Sequence, residues 1–192
     1  MSLLRKKGTP ENILAAFAKV KREDFVPEHL IGYAYEDMAL PVEEGSTLSQ
    51  PSTIAFMLSL LDVKDGQKIL EIGSGSGYVL ALLAELNPSG KIYGVEIIKS
   101  IAVSSKKRLE SSRNIEILNR SGSEGLKEFA PFDRILISAA CPQPPMHLVE
   151  QLASPGIIAA AVKQSIIQIK KDAAGRVTQL EYPGFAFVPL VC

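Results

Sequence analysis

The sequence predicts an α/β fold: a mainly parallel sheet of seven strands, with helices on both faces and an antiparallel hairpin at one edge. Apolar segments of strand and helix periodicity alternate between residues 68 and 162, which is the pattern of βαβ units. Ile135–Ile137 and Ile157–Val162 are nearly continuous apolar runs, as expected for strands buried on both faces. The last two strand-like segments, Ile166–Lys171 and Gln179–Val188, adjoin each other and predict the edge hairpin.

The first 60 residues predict helices separated by a long irregular segment. Apolar side chains recur at helical spacing in Pro10–Val20 and in Thr53–Leu61. Between them, Phe25–Ser52 contains several prolines and glycines without a sustained period, and an irregular segment of that length is usually functional. We therefore divide the single domain of 192 residues into an N-terminal helical and loop segment, 1–60, and an α/β core, 61–192.

The elements of the core follow in chain order. Lys68–Ile72 and Lys91–Glu96 predict the first two strands, and Tyr78–Leu86 predicts a helix that ends before Asn87–Gly90. The remaining elements are a helix at Ser100–Ser111, strands at Ile115–Leu118 and Arg134–Ser138, a helix at Pro145–Leu152 and the last three strands.

Charge and composition argue against several classes of protein. Lys and Arg total 21 and so do Asp and Glu, so the formal net charge is zero. This excludes nucleic-acid binding that depends on a basic charge over the whole chain. No apolar run approaches the ~20 residues of a membrane span, and the first ten residues do not resemble a signal peptide, so we expect a cytoplasmic protein without a membrane partner. The histidines and cysteines match no ligand spacing, which predicts no metal site; they are His29, His147, Cys141 and Cys192.

The most informative segment is the glycine loop, Gly73–Gly77, between the first strand and the first helix of the core. Its glycines are spaced G-x-G-x-G, whereas the dinucleotide fingerprint is G-x-G-x-x-G. Glycine lets a ligand approach the backbone closely, and open α/β sheets bind ligands beyond the carboxyl ends of their strands. The loop therefore predicts a small-molecule site; the alternative is a tight turn that needs glycine for packing.

Two acidic residues accompany the glycine loop. Glu71 lies in the strand before it and could face the cationic amine of an amino-acid moiety. Glu96 ends the next strand, where a carboxylate can accept hydrogen bonds from both hydroxyls of a ribose. An acid, G-x-G-x-G and a second acid one strand later is the pattern of S-adenosylmethionine binding in class I methyltransferases. A nicotinamide-dependent dehydrogenase is the alternative enzyme, and the glycine spacing disfavours it.

Further segments resemble the protein-L-isoaspartate O-methyltransferase family, from about Ile13 to Leu190. The most specific pieces are GSTLSQP at Gly45–Pro51 and FVPL at Phe187–Leu190, supported by REDFVP at Arg22–Pro27. The resemblance implies a Rossmann-like class I methyltransferase that transfers a methyl group from S-adenosylmethionine to the free α-carboxylate of L-isoaspartyl residues in damaged proteins and peptides. The ester then closes to a succinimide, which reopens partly as normal aspartate.

The resemblance also implies roles for individual residues. Ser49 matches the family's catalytic serine, and Thr47 and Leu48 lie beside it on the substrate side. Cofactor-binding roles fall on Glu71, Gly73, Ser74, Gly75, Gly77, Glu96, Ser121 and Gly122. Because a substrate carboxylate with a pKa of roughly 4 is already ionised at neutral pH, the enzyme must supply alignment rather than a general base.

Three places depart from the family pattern and leave other functions open. Ser121 stands where the family has an aspartate that meets the adenine amine, and Glu43–Glu44 and Ala161–Lys163 differ on the substrate side. The alternatives are a methyltransferase for a small molecule or RNA, and a non-catalytic relative that binds S-adenosylmethionine. The basic residues between Arg5 and Arg22 are compatible with RNA, but such runs are usually solvated faces, so we do not expect nucleic acid to bind.

Overall fold

A seven-stranded sheet organises the computed structural model, which describes residues 2–190 of the chain. Before this sheet, β1 (Leu40–Pro41) and β2 (Thr47–Leu48) form a short antiparallel pair. The sheet itself contains β3 (Lys68–Ile72), β4 (Lys91–Glu96), β5 (Ile115–Asn119), β6 (Phe132–Cys141), β7 (Leu152–Val162), β8 (Ser165–Lys171) and β9 (Val177–Pro183). Its order is β5-β4-β3-β6-β7-β8-β9, with β8 and β9 antiparallel, which confirms the predicted mainly parallel sheet and edge hairpin.

Helical segments cover both faces of this sheet, but they differ in kind. The α-helices of the described chain are α1 (Ser2–Lys6), α2 (Glu11–Lys19), α3 (Pro51–Leu61), α4 (Tyr78–Leu86) and α5 (Lys99–Arg108). Apolar side chains of α2, α3 and α4 pack with one face of the sheet in a single cluster. The opposite face is covered by two 3₁₀ helices, Lys127–Phe129 and Met146–Gln151, which contribute Phe129 and Leu148 to a second cluster.

The helix predicted at Pro145–Leu152 is a 3₁₀ helix rather than an α-helix, and it is two residues shorter. Only six residues, Met146–Gln151, separate the prolines at 144 and 145 from the start of β7, and they form a 3₁₀ helix. Short connecting segments of this kind commonly adopt 3₁₀ geometry.

The last predicted strand, Gln179–Val188, is too long at its C-terminal end. Strand β9 ends at Pro183, and Gly184 at φ +96° turns the chain. The following residues run back across the carboxyl end of the sheet, where the Ala140 amide donates to Val188 O (2.8 Å) and the Leu190 amide donates to Ala140 O (2.9 Å). We call residues 184–190 the C-terminal tail.

Candidate active site

A cavity opens at the carboxyl ends of β3, β4 and β6, where open α/β sheets bind ligands. Most of the residues predicted from the sequence line it together: Thr47, Leu48, Ser49, Glu71, Gly73, Ser74, Gly75, Glu96 and Gly122. Gly77 and Ser121 are not among the described residues that line it. The first residues of the glycine loop are fixed by β4, because the Gly73 and Ser74 amides both donate to Val95 O, at 2.9 and 3.0 Å.

Two glycines of the loop have different tasks. Gly75 adopts φ +52°, and a Cβ built on it would meet no atom of the described chain within 4 Å, so this backbone faces open space. Gly77 adopts φ +87°, but its Cβ would lie 2.8 Å from Leu109 Cδ1. Gly75 is therefore placed for close approach of a ligand, whereas Gly77 lets α4 begin against the end of α5.

The Glu96 carboxylate links the glycine loop to the turn after β4. Its Oε2 accepts a hydrogen bond from the Gly75 amide at 2.9 Å, and its Oε1 accepts one from the Ile98 amide at 2.8 Å. Each carboxylate oxygen has a second lone pair, so the side chain can hold the loop and still accept from ligand hydroxyls.

Glu71 is a buried acid whose bonding is incomplete. Its side chain is 1% exposed; Oε1 accepts a hydrogen bond from Ser138 Oγ at 2.7 Å, and Oε2 has no partner among residues 2–190. Burial raises the pKa of Glu71 to about 8; the bond from Ser138 opposes this rise, and the charge of Glu96 adds to it. The Ser74 hydroxyl is likewise buried and unpartnered within the described chain. A ligand that brings a cationic donor would satisfy both groups.

A second cavity adjoins the first on the side of the substrate segment, which we define as Gly45–Pro51. Thr47, Ser49, Ser138 and Val188 line both cavities, so these four residues form a shared wall. The far side of the second cavity is built from the C-terminal tail, including Phe185 and Phe187. Phe185 stacks on Phe56 of α3 at a ring-centroid distance of 5.6 Å and on Phe187 at 6.2 Å.

The first cavity thus combines a glycine loop with two acids, and it shares a wall containing two serines with the second cavity. The family model for protein-L-isoaspartate(D-aspartate) O-methyltransferase matches residues 1–192. The chain belongs to this family.

Curated relatives agree with that family, and solved structures share the fold. The protein-L-isoaspartate O-methyltransferase of Aeropyrum pernix is 41% identical over 98% of this chain and 76% of its own length. That of Methanococcoides burtonii is 39% identical over 98% and 96%. A solved protein-L-isoaspartate O-methyltransferase superposes with a TM-score of 0.89 at 27% identity; it is longer, so the match covers 97% of this chain and 63% of that one. A Plasmodium falciparum structure in complex with S-adenosyl-L-homocysteine shares the fold at 21% identity, with a TM-score of 0.83 over 99% and 95% of the two chains.

Arg22 was misread from the sequence as part of a solvated basic segment. Its side chain is buried, and Nη1 donates to Ser49 O at 2.9 Å, directly behind the shared wall. The available sequence signal for a buried position was the apolar pair Phe25 and Val26, which follows Arg22 closely in the chain. Both side chains are buried, so this part of the chain is internal.

The three departures from the family pattern have different surroundings. Ser121 Oγ lies 3.0 Å from Ser123 Oγ, whereas its neighbours Arg120 and Gly122 line the first cavity. Glu43 pairs with Arg108 of α5 at 3.7 Å. Lys163 adopts φ +52° in the turn between β7 and β8 and is exposed.

Within residues 2–190, no helix is long and apolar enough to cross a membrane. Those residues also contain no group of three or more His, Cys, Asp or Glu side chains that could hold a metal ion. Cys192, one of the two cysteines considered from the sequence, lies outside the described residues.

Proposed function

We propose that this protein transfers a methyl group from S-adenosylmethionine to the free α-carboxylate of L-isoaspartyl residues in damaged proteins and peptides. Family membership supports the reaction. The observation that carries it to this chain is the shared wall, because two ligands in adjoining cavities would meet at Thr47, Ser49 and Ser138.

The residues of the first cavity fit the cofactor. Glu71 Oε2 and Ser74 Oγ have no hydrogen-bond partner among the described residues. The ammonium and carboxylate of a methionine moiety would provide such partners. Glu96 can accept from ribose hydroxyls, and Gly75 leaves room for close approach. When bound, S-adenosylmethionine supplies an electrophilic methyl group on a sulfonium. We assign Gly73, Gly77, Ser121 and Gly122 to the same site as supporting residues, of which Gly77 acts through packing.

The substrate side needs to orient a nucleophile that is already charged. The substrate carboxylate has a pKa of roughly 4, so no base is required to activate it. The Ser49 hydroxyl can donate a hydrogen bond that holds one carboxylate oxygen without neutralising it. Thr47 belongs to the same shared wall, and Leu48 lines the first cavity beside it. Alignment of this kind can contribute roughly 7–11 kcal/mol to a reaction between two bound groups.

The assignment of parts of the chain is also a proposal. Residues 1–60 provide the substrate segment and residues 61–192 the cofactor-binding core, within one methyltransferase domain. Support comes from a single apolar cluster that joins α2 and α3 to β3, β4 and β6. A cytoplasmic location and binding to damaged proteins remain parts of this proposal.

The decisive experiment compares two peptides. The protein is incubated with methyl-labelled S-adenosylmethionine and an isoaspartyl peptide, beside a twin peptide that contains aspartate. We expect a base-labile methyl ester on the isoaspartyl peptide only. Labelling of RNA or a small molecule instead would indicate a diverged methyltransferase. Cofactor binding without transfer to any of these acceptors would indicate a non-catalytic relative.

A further inference from the structure

Arg22 donates hydrogen bonds to the backbone of the substrate segment. The side chain is 1% exposed, and its guanidinium donates to three backbone carbonyls: to Ser49 O at 2.9 Å, to Met38 O at 3.3 Å and to Leu48 O at 3.5 Å. Leu48 and Ser49 belong to the substrate segment, and Met38 precedes β1. One side chain therefore fixes the backbone on both sides of the β1–β2 pair.

The other contact of Arg22 reaches the cofactor side. Its guanidinium carbon lies 5.4 Å from the centroid of the Tyr78 ring. Tyr78 is the first residue of α4, directly after Gly77, and its buried ring is packed edge-on by Phe17 at 6.1 Å and Phe25 at 5.3 Å. Arg22 thus lies between the helix that follows the glycine loop and the backbone of the substrate segment.

Burying the Arg22 guanidinium carries a desolvation penalty that an apolar side chain would not have. Among the described residues, no carboxylate lies within 4.0 Å of Arg22 to form an ion pair, and its Nε atom has no hydrogen-bond partner there. Burial lowers the pKa of the guanidinium, and the nearby Tyr78 and Asp37 raise it. Apolar side chains often replace buried charges without loss of stability, so packing alone does not explain an arginine at this position.

We propose that Arg22 is a positioning residue for methyl transfer, which holds Leu48 and Ser49 at a fixed distance from the glycine loop. Its rigid fork of donors suits several carbonyls at once, and a lysine cannot reproduce that geometry. The inference rests on the proposed function, because it assigns Arg22 to the alignment of the substrate carboxylate through Ser49.

Arg134 provides a matched control. It is also a buried arginine, and it donates to backbone carbonyls: to Asp62 O at 3.0 and 3.2 Å and to Asp133 O at 2.8 Å. However, it lies near the start of β6, at the end of the sheet away from both cavities. Arg22→Met and Arg134→Met therefore remove comparable buried groups, and only the first faces the substrate segment.

The kinetic test measures kcat, KM for the isoaspartyl peptide, and the Kd of S-adenosylhomocysteine. We expect Arg22→Met to lower kcat/KM about 100-fold, the scale of a misplacement near 1 Å, while the cofactor Kd changes less than about threefold. Arg22→Lys, which keeps the charge, should recover stability but not kcat. Arg134→Met should lower the melting temperature and leave kcat/KM within about threefold. Full activity of either Arg22 variant would overturn the proposal.

A double-mutant cycle with Ser49→Ala tests whether Arg22 acts through Ser49. If it does, the cost of Ser49→Ala in kcat should shrink to less than about tenfold once Arg22 is methionine. A purely structural arginine would leave the two effects additive. Additive effects would therefore reject the positioning role even if each single variant is impaired.

A measurement without substrate separates this inference from the proposed function. Hydrogen exchange of the amides in residues 46–50 should be faster in Arg22→Met, or in Arg22→Lys if the methionine variant does not fold, than in Arg134→Met. Unchanged exchange in these variants would overturn the inference. If the wild-type protein instead methylates no isoaspartyl peptide, the proposed function fails while the exchange result still reports on Arg22.

Discussion

The glycine loop and the substrate segment face the same cavity, but different forces hold them in place. The loop is bonded through its own backbone to strand β4 and to Glu96, within a parallel sheet. The substrate segment has one two-residue strand pair, and beyond it the side chains of Arg22 and Asp37 hold it. Asp37 accepts from the Ser52 amide at 2.8 Å and from Gln50 Nε2 at 3.0 Å. The cofactor side is thus set by the sheet, and the substrate side by a few side chains from distant parts of the chain.

This difference implies that cofactor binding and turnover can be damaged separately. The largest expected effect is on the glycine loop itself. Gly75→Val places a branched side chain where the ligand should approach and forces it into φ +52°, so we expect loss of measurable S-adenosylhomocysteine binding in calorimetry. Gly66→Val is the control, because Gly66 also has positive φ and open space but lies outside both cavities. Equal loss in both variants would indicate backbone strain rather than a ligand site.

The second prediction concerns the buried acid beside that loop. The pKa of Glu71 rises from 4.5 to about 8 in the folded protein, so the folded state keeps a proton that the unfolded chain releases above about pH 4.5. This contribution to stability is complete below pH 4.5 and is lost as the pH rises through 8. We expect urea unfolding without cofactor to show the loss, on the order of 4 kcal/mol by pH 9.

Two substitutions serve as the test and the control for the pH dependence of stability. Glu71→Gln removes the titrating group, so its stability should fall less than that of the wild type between pH 5 and 9. Glu110→Gln alters an exposed acid and should follow the wild-type profile. Parallel profiles for the wild type and Glu71→Gln would mean that Glu71 is ionised in the free protein.

The third prediction addresses the substrate segment. Ser49→Ala should lower kcat for the isoaspartyl peptide about 100-fold, because a hydrogen bond that orients the carboxylate is lost, while the Kd of S-adenosylhomocysteine stays within about threefold. Ser59→Ala is the matched control: Ser59 lies on α3 and donates to Phe56 O at 2.7 Å, away from both cavities. A Ser49→Ala enzyme with normal kcat would return Ser49 to a local structural role.

The smallest expected effect tests whether Ser121 lies beside the adenine of the cofactor. Ser121→Asp should tighten S-adenosylhomocysteine by up to about tenfold, roughly 1.4 kcal/mol, because a charged acceptor for the adenine amine replaces a neutral one. Ser123→Asp adds the same charge to the hydroxyl partner of Ser121 and should leave the Kd unchanged. Weaker or equal binding by Ser121→Asp would place the adenine elsewhere. Equal tightening by both variants would indicate a general charge effect.

The sequence predicted the two regions unequally, for a physical reason. Strands β3 and β4 and helix α4 begin and end where local periodicity, glycine and proline place them. The substrate segment depends on contacts between residues 13 to 27 positions apart, such as Arg22 with Ser49, and periodicity carries no information about such pairs. Its functional residues were found through the family motif at Gly45–Pro51.

Other errors arose where a local signal was given too little weight. Pro183 and Gly184 together mark the end of a strand, yet the predicted strand continues to Val188. The charge of Arg22 suggested exposure, although the apolar residues Phe25 and Val26 that follow it in the chain are buried. In both cases the residue lies beside the active site, where a regular pattern is interrupted so that the chain can shape a cavity.

The stacking of Phe185 on Phe56 has an evolutionary consequence. Phe56 belongs to the helix that begins at the end of the substrate segment, and Phe185 belongs to the tail that closes the opposite wall. A lineage that acquires a new peptide preference by altering one of these rings loses their mutual stacking, so selection should favour paired replacements at positions 56 and 185. Across the family, these two positions, 129 residues apart, are therefore expected to covary in size.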